Sequence, residues 1–164
     1  MHQSQRQMHQ SQRQLFRLLC LPAIVIGLAV QMDASEPPST VALQDLVNGL
    51  KTELGIDAAV SAAIVTTNTL LVSVQPVDGN TGTFRMEFEE RFLTSLDQDE
   101  LKAIVAHELG HVWIYTHHPY LQTERGANTV ALRAVPRASL ERVYSKVWEL
   151  QGTKGDLARF LGPE

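Results

Sequence analysis

Two histidines one helical turn apart, His107 and His111, stand in a stretch that has few ways to fold except as a helix. Asp97 followed three residues later by Glu100 is a capping-box pattern, the start signal of a helix. Leu101, Val105, Leu109 and Val112 then recur at helical spacing, and Pro119 stops the run from going much further. The pattern predicts a helix from Asp97 to about Thr116. Residues four apart share one face of a helix, one turn above the other. Both imidazoles can therefore reach a single ion, while the apolar stripe packs into a core on the opposite side.

Glu108 is turned about 100° from its neighbour on that helix. It cannot chelate with the two histidines, but it can reach a water on the open side of the ion. A bound zinc lowers the pKa of such a water towards about 7, and a carboxylate can then take its proton. His-Glu-x-x-His on a helix is thus the arrangement of metal-assisted peptide hydrolysis.

Zinc needs a third protein ligand. The chain has one cysteine and no Cys-x-x-Cys pair, so the candidates are His117, His118 and Glu124. His118 shares the face of His111, but two helical turns, about 10 Å, separate them, too far for one ion. Glu124 opens a second predicted helix, residues 122–134, and has Asn128 four residues on. The Asn128 amide can hydrogen-bond one ligand histidine and fix its tautomer. Ala127 and Ala131 are small, which allows this helix to approach the first closely. Glu124 is the expected third ligand, and one Zn2+ per chain is expected.

Elsewhere, Leu43, Leu46, Val47, Leu50 and Leu54 predict an amphipathic helix over 40–54, ended by Gly55. Residues 58–89 favour strands. Thr67-Asn68 can turn the first into the second, and the run 78–82 turns the second into the third. Phe84, Met86 and Phe88 then alternate with Arg85, Glu87 and Glu89, a period of two that marks a half-buried strand. Its charged face suits an edge strand. A further helix over 137–150 carries Leu140, Val143, Tyr144, Val147 and Trp148, with Gly152 at its end. Thr153 or Asp156 can cap a last short helix bearing Leu157, Phe160 and Leu161. Trp113, Trp148 and Tyr144 are expected in the core. The order predicts an α+β domain: a small antiparallel three-stranded sheet, read as a meander, with helices on one face.

The chain has 164 residues, 44% of them hydrophobic and 20% charged, with a net charge of −4. These values suit one globular domain and exclude wholesale disorder and a polytopic membrane protein. There is no basic patch for nucleic acid. The N-terminus repeats itself, Met1–Gln7 returning as Met8–Gln14. Arg6, Arg13 and Arg17 then precede an apolar run of 13 residues, Leu18–Val30, short for a membrane span. This is the pattern of a secretory signal peptide, with Ala29 and Ala34 as cleavage points. A retained anchor over 18–30 is the alternative. Cys20 lies inside the run, after Leu19, a poor setting for lipidation. The expected organisation is a repeat and leader over 1–34, a Pro-containing linker over 35–40, and one domain over 41–164.

The run from Leu96 to His111 (LDQDELKAIVAHELGH) resembles the active-site helix of HtpX-type and CAAX-prenyl-protease-type zinc peptidases. In those families a Glu-x-x-Ala-Asp element supplies the third ligand. Glu124-x-x-Ala127-Asn128 is similar, with Asn in place of Asp. The ImmA/IrrE-type peptidases share the pattern. The resemblance covers about residues 84–136. It implies a minimal gluzincin fold, zinc on His107, His111 and Glu124, and Glu108 as general base. Only 12 residues separate His111 from Glu124, so the large insertions and membrane helices of the HtpX-type enzymes are missing. No downstream residue stands out as the oxyanion stabiliser. Tyr144, Arg133, Arg137 and His118 are the candidates.

The expectation is a secreted or periplasmic zinc metalloendopeptidase. A peptide or protein substrate would add to the edge of the strand made by Phe84, Arg85, Met86, Glu87 and Phe88. No nucleic acid and no stable transmembrane span after leader removal are expected. The alternative is a zinc-binding chaperone or partner-binding module with little turnover. A peptidase completed by an activating protein partner is a third reading.

Overall fold

The computed structural model describes residues 38–77, 79 and 82–163. The repeat, the leader and residues 35–37 of the linker lie outside the described residues.

Helix α1, Thr40–Leu54, starts where the Ser39 hydroxyl accepts from the Ala42 N–H, and ends at Gly55 in the left-handed region (φ 68°). Leu43, Val47, Leu50 and Leu54 form its buried stripe. Strands β1 (Ala59–Val65), β2 (Val72–Pro76) and β3 (Thr83–Glu89) follow. After them come α2 (Glu90–Ser95), α3 (Gln98–His117), a 3-10 turn (Pro119–Leu121), α4 (Glu124–Ala131), α5 (Arg137–Gln151) and α6 (Leu157–Leu161). The fold is α+β, with a three-stranded sheet and six α-helices among the described residues.

The sheet corrects the expected meander. Its order is β1-β3-β2, with β1 parallel and β2 antiparallel to β3. The sheet is mixed, and β3 is its central strand. The alternation of Arg85, Glu87 and Glu89 with Phe84, Met86 and Phe88 reports which face of the sheet is wet, not whether the strand lies at an edge. Phe84, Met86 and Phe88 are buried in the core. Arg85 and Glu87 pair with each other at 2.7 Å on the open face.

Thr67-Asn68 makes no hairpin. The chain crosses the end of β3 there, and Asn68 pins the crossing. Its Nδ2 donates to Ser73 Oγ (3.0 Å) and to the Glu87 carbonyl (3.2 Å), while its Oδ1 accepts from the Leu70 N–H. Leu71 takes a left-handed conformation (φ 67°), which costs a residue with a Cβ about 1–2 kcal/mol. The outer edge of β1 is engaged by α1. Gln44 Nε2 donates to the Val60 carbonyl (2.9 Å), and its Oε1 accepts from the Ala62 N–H (2.8 Å). The outer edge of β2 runs along the cleft described below.

Helix α2 was not foreseen. The Glu89 carboxylate caps it at the Phe92 N–H (2.7 Å), and Phe92 and Leu93 are buried. Helix α3 has the expected capping box, with Asp97 and Glu100 bonding reciprocally at 2.8 Å. It packs against α1, β2, α4 and α5, and every residue from Ala103 to Gly110 is buried. The histidine-bearing face is thus largely packed as well, with His111 left partly exposed. The second predicted helix is shorter than read, Glu124–Ala131, and a turn follows it. Helix α5 ends at Gly152, and Asp156 caps α6. No helix among the described residues is long and apolar enough to cross a membrane.

Candidate metal centre

The centre lies where α3, α4 and α5 meet. Helix α3 brings His107 and His111 onto one face, with their Nε2 atoms 3.2 Å apart. Helix α4 is started by the Thr123 hydroxyl, which accepts from the Gly126 N–H, and this sets Glu124 in its first turn. Glu124 Oε2 lies 3.2 Å from His107 Nε2, and Oε1 lies 3.5 Å from His111 Nε2. One ligand atom from each of the three residues falls within 4.8 Å of the others. Two neutral imidazole nitrogens and a carboxylate are a donor set that zinc accepts, leaving a fourth position for water or substrate.

Gly110 and Ala127 make that convergence possible. A Cβ at position 110 would overlap the Ala127 carbonyl oxygen and lie 2.8 Å from its Cα. The two helices touch backbone to backbone, which carries Glu124 across to the histidines. A glycine inside a helix costs about 0.5–1 kcal/mol relative to alanine, so its presence at 110 was itself a readable signal of close approach.

Each histidine is held from behind. His107 Nδ1 bonds Asn128 Oδ1 at 2.8 Å, the contact expected of Asn128. His111 Nδ1 meets Gln122 Oε1 at 3.2 Å, and Gln122 Nε2 donates to the His111 backbone carbonyl, also at 3.2 Å. Sequence reasoning missed Gln122. It sits in a loop before α4, and no local pattern marks it. Tyr144, from α5, accepts from Asn128 Nδ2 (2.7 Å), and its hydroxyl donates to Glu124 Oε2 (3.4 Å).

Burial raises the pKa of Glu108 above the ordinary carboxylate value, against the opposing pull of His107 and His111. His107 and His111 hold Glu124 well below its ordinary value through hydrogen bonds. At His111 burial works downward, but the hydrogen bond to Glu124 and the charges of Glu108 and Glu124 prevail and raise its pKa. Burial and the nearby carboxylates raise Tyr144 despite its bond from Asn128.

A cleft of about 560 Å³ opens over these groups. Leu70, Val72 and Val74 wall one side, Val143, Val147 and Trp148 the other, and His107, Glu108, His111 and Glu124 line it between them. Phe84 reaches the cleft, but Arg85, Met86, Glu87 and Phe88 do not line it. The expected substrate edge on β3 is thereby corrected, because β2 stands between β3 and the open side.

Of the oxyanion candidates only Tyr144 borders the cleft. Arg137 donates instead to the Leu161 and Gly162 carbonyls (3.0 and 2.7 Å) and pairs with Glu141. Arg133 and His118 line a separate cavity behind α3 and α4. His117 stacks on Trp113, with ring centroids 4.3 Å apart.

No protein-family model and no curated protein matches the chain. Among solved structures it is similar to the crystal structure of the metallopeptidase zymogen of Pyrococcus abyssi abylysin. The identity is 18% over 70% of this chain and 99% of that chain, with a TM-score of 0.48. That likeness is too loose to carry an assignment of fold or activity.

Proposed function

We propose that the chain is a zinc-dependent peptidase, with the metal on His107, His111 and Glu124 and with Glu108 as general base. The observation that supports this most is the convergence of those three ligand groups beside a buried carboxylate, at the floor of an open apolar cleft. When bound, zinc supplies Lewis acidity to a peptide carbonyl and makes a water easier to deprotonate.

The chain's own groups then divide the work. Glu108, whose pKa burial has raised, takes the proton from the attacking water and passes it to the leaving amine nitrogen. Asn128 and Gln122 keep the imidazoles aimed. Tyr144 steadies Glu124 and is the oxyanion candidate that borders the cleft.

The substrate is an extended peptide laid on the outer edge of β2. The Val77 N–H bonds the Thr83 carbonyl, and the Glu89 N–H bonds the Leu71 carbonyl. By the alternation of an antiparallel ladder, Ser73 and Gln75 face β3, and the main chain of Val72 and Val74 faces outward. Those outward groups can pair with an added strand. The apolar walls suit a hydrophobic side chain next to the cleaved bond. Secretion through the leader belongs to the same proposal.

A binding module with little turnover is the second reading. It is favoured by the Tyr144 hydroxyl being already engaged with Asn128 and Glu124. Metal content and peptide-library cleavage, measured on the wild type and on Glu108→Gln, decide between the two. A peptidase binds about one zinc, and the variant keeps it while losing about 100-fold or more of activity. Zinc without cleavage in the wild type leaves the binding module. No zinc at neutral pH sinks both.

A further inference from the structure

We propose that the C-terminal helix α6 is a positioning element of the metal centre: the Phe160 backbone carbonyl selects the orientation of the Asn128 amide and, through it, the tautomer of His107. The inference rests on the metal-centre reading above and goes beyond it to a part of the chain far from the motif.

Asn128 is buried, and its side chain has three partners. Nδ2 donates to the Phe160 carbonyl (3.0 Å) and to the Tyr144 hydroxyl (2.7 Å), and Oδ1 faces His107 Nδ1 (2.8 Å). The Tyr144 hydroxyl accepts here while its one proton is directed at Glu124 across a long 3.4 Å contact. By turning that proton to an amide oxygen it could serve the opposite orientation, so it fixes the amide only weakly. A backbone carbonyl only accepts. Phe160 therefore requires the NH2 group on its side and leaves Oδ1 towards His107. An oxygen there demands a proton on Nδ1, and this frees the Nε2 lone pair, on the Glu124 side, for a metal.

An aspartate at position 128 would set a carboxylate oxygen against that carbonyl, acceptor to acceptor. The asparagine of this chain and its C-terminal helix are thus matched parts.

The tail is built to hold this contact. The Arg137 guanidinium clamps the next two carbonyls, Leu161 and Gly162. The Phe160 ring packs on Tyr144 and Trp148, with centroids 5.1 and 5.8 Å away. At Gly155 the chain passes so close to the Trp148 indole that a Cβ would overlap it. Leu161 is buried.

The test uses the full chain and four variants: Asn128→Asp, Arg137→Ala, their combination, and Arg137→Lys. Zinc affinity is measured by chelator competition, and the His107 Nδ1 proton is followed by NMR in the zinc-loaded protein. Val47→Ala, a core change in α1, serves as a control for general destabilisation. Arg137→Ala is expected to weaken zinc by about tenfold and to speed exchange of the Nδ1 proton with water. Arg137→Lys should recover part of both, and Val47→Ala should change neither. Asn128→Asp should also weaken zinc, and adding Arg137→Ala to it should cost nothing more, because releasing the tail removes the carbonyl clash.

Unchanged zinc affinity in Arg137→Ala, or losses that simply add in the double variant, overturns the proposal and leaves the metal centre standing. A wild type that binds no zinc overturns both. If Asn128→Asp does not fold, the Nδ1 proton and zinc affinity of Arg137→Ala and Arg137→Lys decide alone.

Discussion

The α-carbon of Gly110 faces the carbonyl of Ala127 with no room between them for a methyl group. This contact sets the separation of α3 and α4, and with it the distance from Glu124 to the two histidines. Gly110→Ala adds a methyl where backbone, not a flexible side chain, must yield. Overpacking of this kind costs about 1–3 kcal/mol. Thermal unfolding should show that loss, and zinc affinity should fall with it, because Glu124 moves away from His107 and His111. A variant that binds zinc like the wild type would show that the close approach does not position the ligand.

Gln122 grips His111 at both its ring and its backbone carbonyl. Gln122→Ala removes both bonds without touching a ligand. Loss of such an outer partner typically costs 10–100-fold in metal affinity. Gln122 is solvent-exposed, so the lower end is expected, about tenfold by chelator competition, with the melting temperature of the metal-free protein nearly unchanged.

Protons and metal should pull stability in opposite directions. In the metal-free protein the folded pKa of His111 is raised above 6.5. Its contribution to stability is therefore complete below pH 6.5 and is lost as pH rises through the folded value. The raised pKa of Glu108 acts in the same sense, from 4.5 upward. Glu124, lowered from 4.5, contributes stability above 4.5 that is lost only as pH falls through its depressed value. The metal-free protein should thus melt at a lower temperature at about pH 8 than at about pH 6. Zinc needs neutral imidazole, so the gap between zinc-loaded and chelator-treated melting temperatures should widen over the same interval. A gap that narrows with pH would contradict the ligand assignment.

The two strands make different predictions for substrate. The Val74 N–H faces away from β3, so Val74→Pro leaves the ladder intact while removing one donor from the free edge of β2. The fold should survive, and KM for peptides should rise several-fold. Glu87→Lys, on the wet face of the central strand, should leave the cleavage profile unchanged. A changed profile in Glu87→Lys with none in Val74→Pro would return the substrate to the strand first expected.

The parts of the centre legible in the sequence are those made by short-range geometry. His107 and His111 meet because a helix repeats every 3.6 residues, and the Asp97–Glu100 capping box announces that helix. Glu124 and Asn128 are one turn apart for the same reason, and Gly55 and Gly152 mark where two helices end. Such relations involve residues three or four apart, and backbone sterics and hydrogen bonding decide them wherever the segment lies.

The tertiary structure alone decided which strand is central, which edge borders the cleft, and what stands behind each histidine. Strand order is a competition between pairings of segments far apart in the chain. β1 meets β3 through Val60 and Phe84, and β2 meets β3 through Val72 and Phe88, with the same buried face serving both. An alternating pattern records that face and carries no information about neighbours. Gln122 and the Phe160 carbonyl are likewise invisible locally. The first is an ordinary loop residue, and the second is a backbone group that every residue has. They reach the candidate metal site only because α3, α4, α5 and α6 pack around one point.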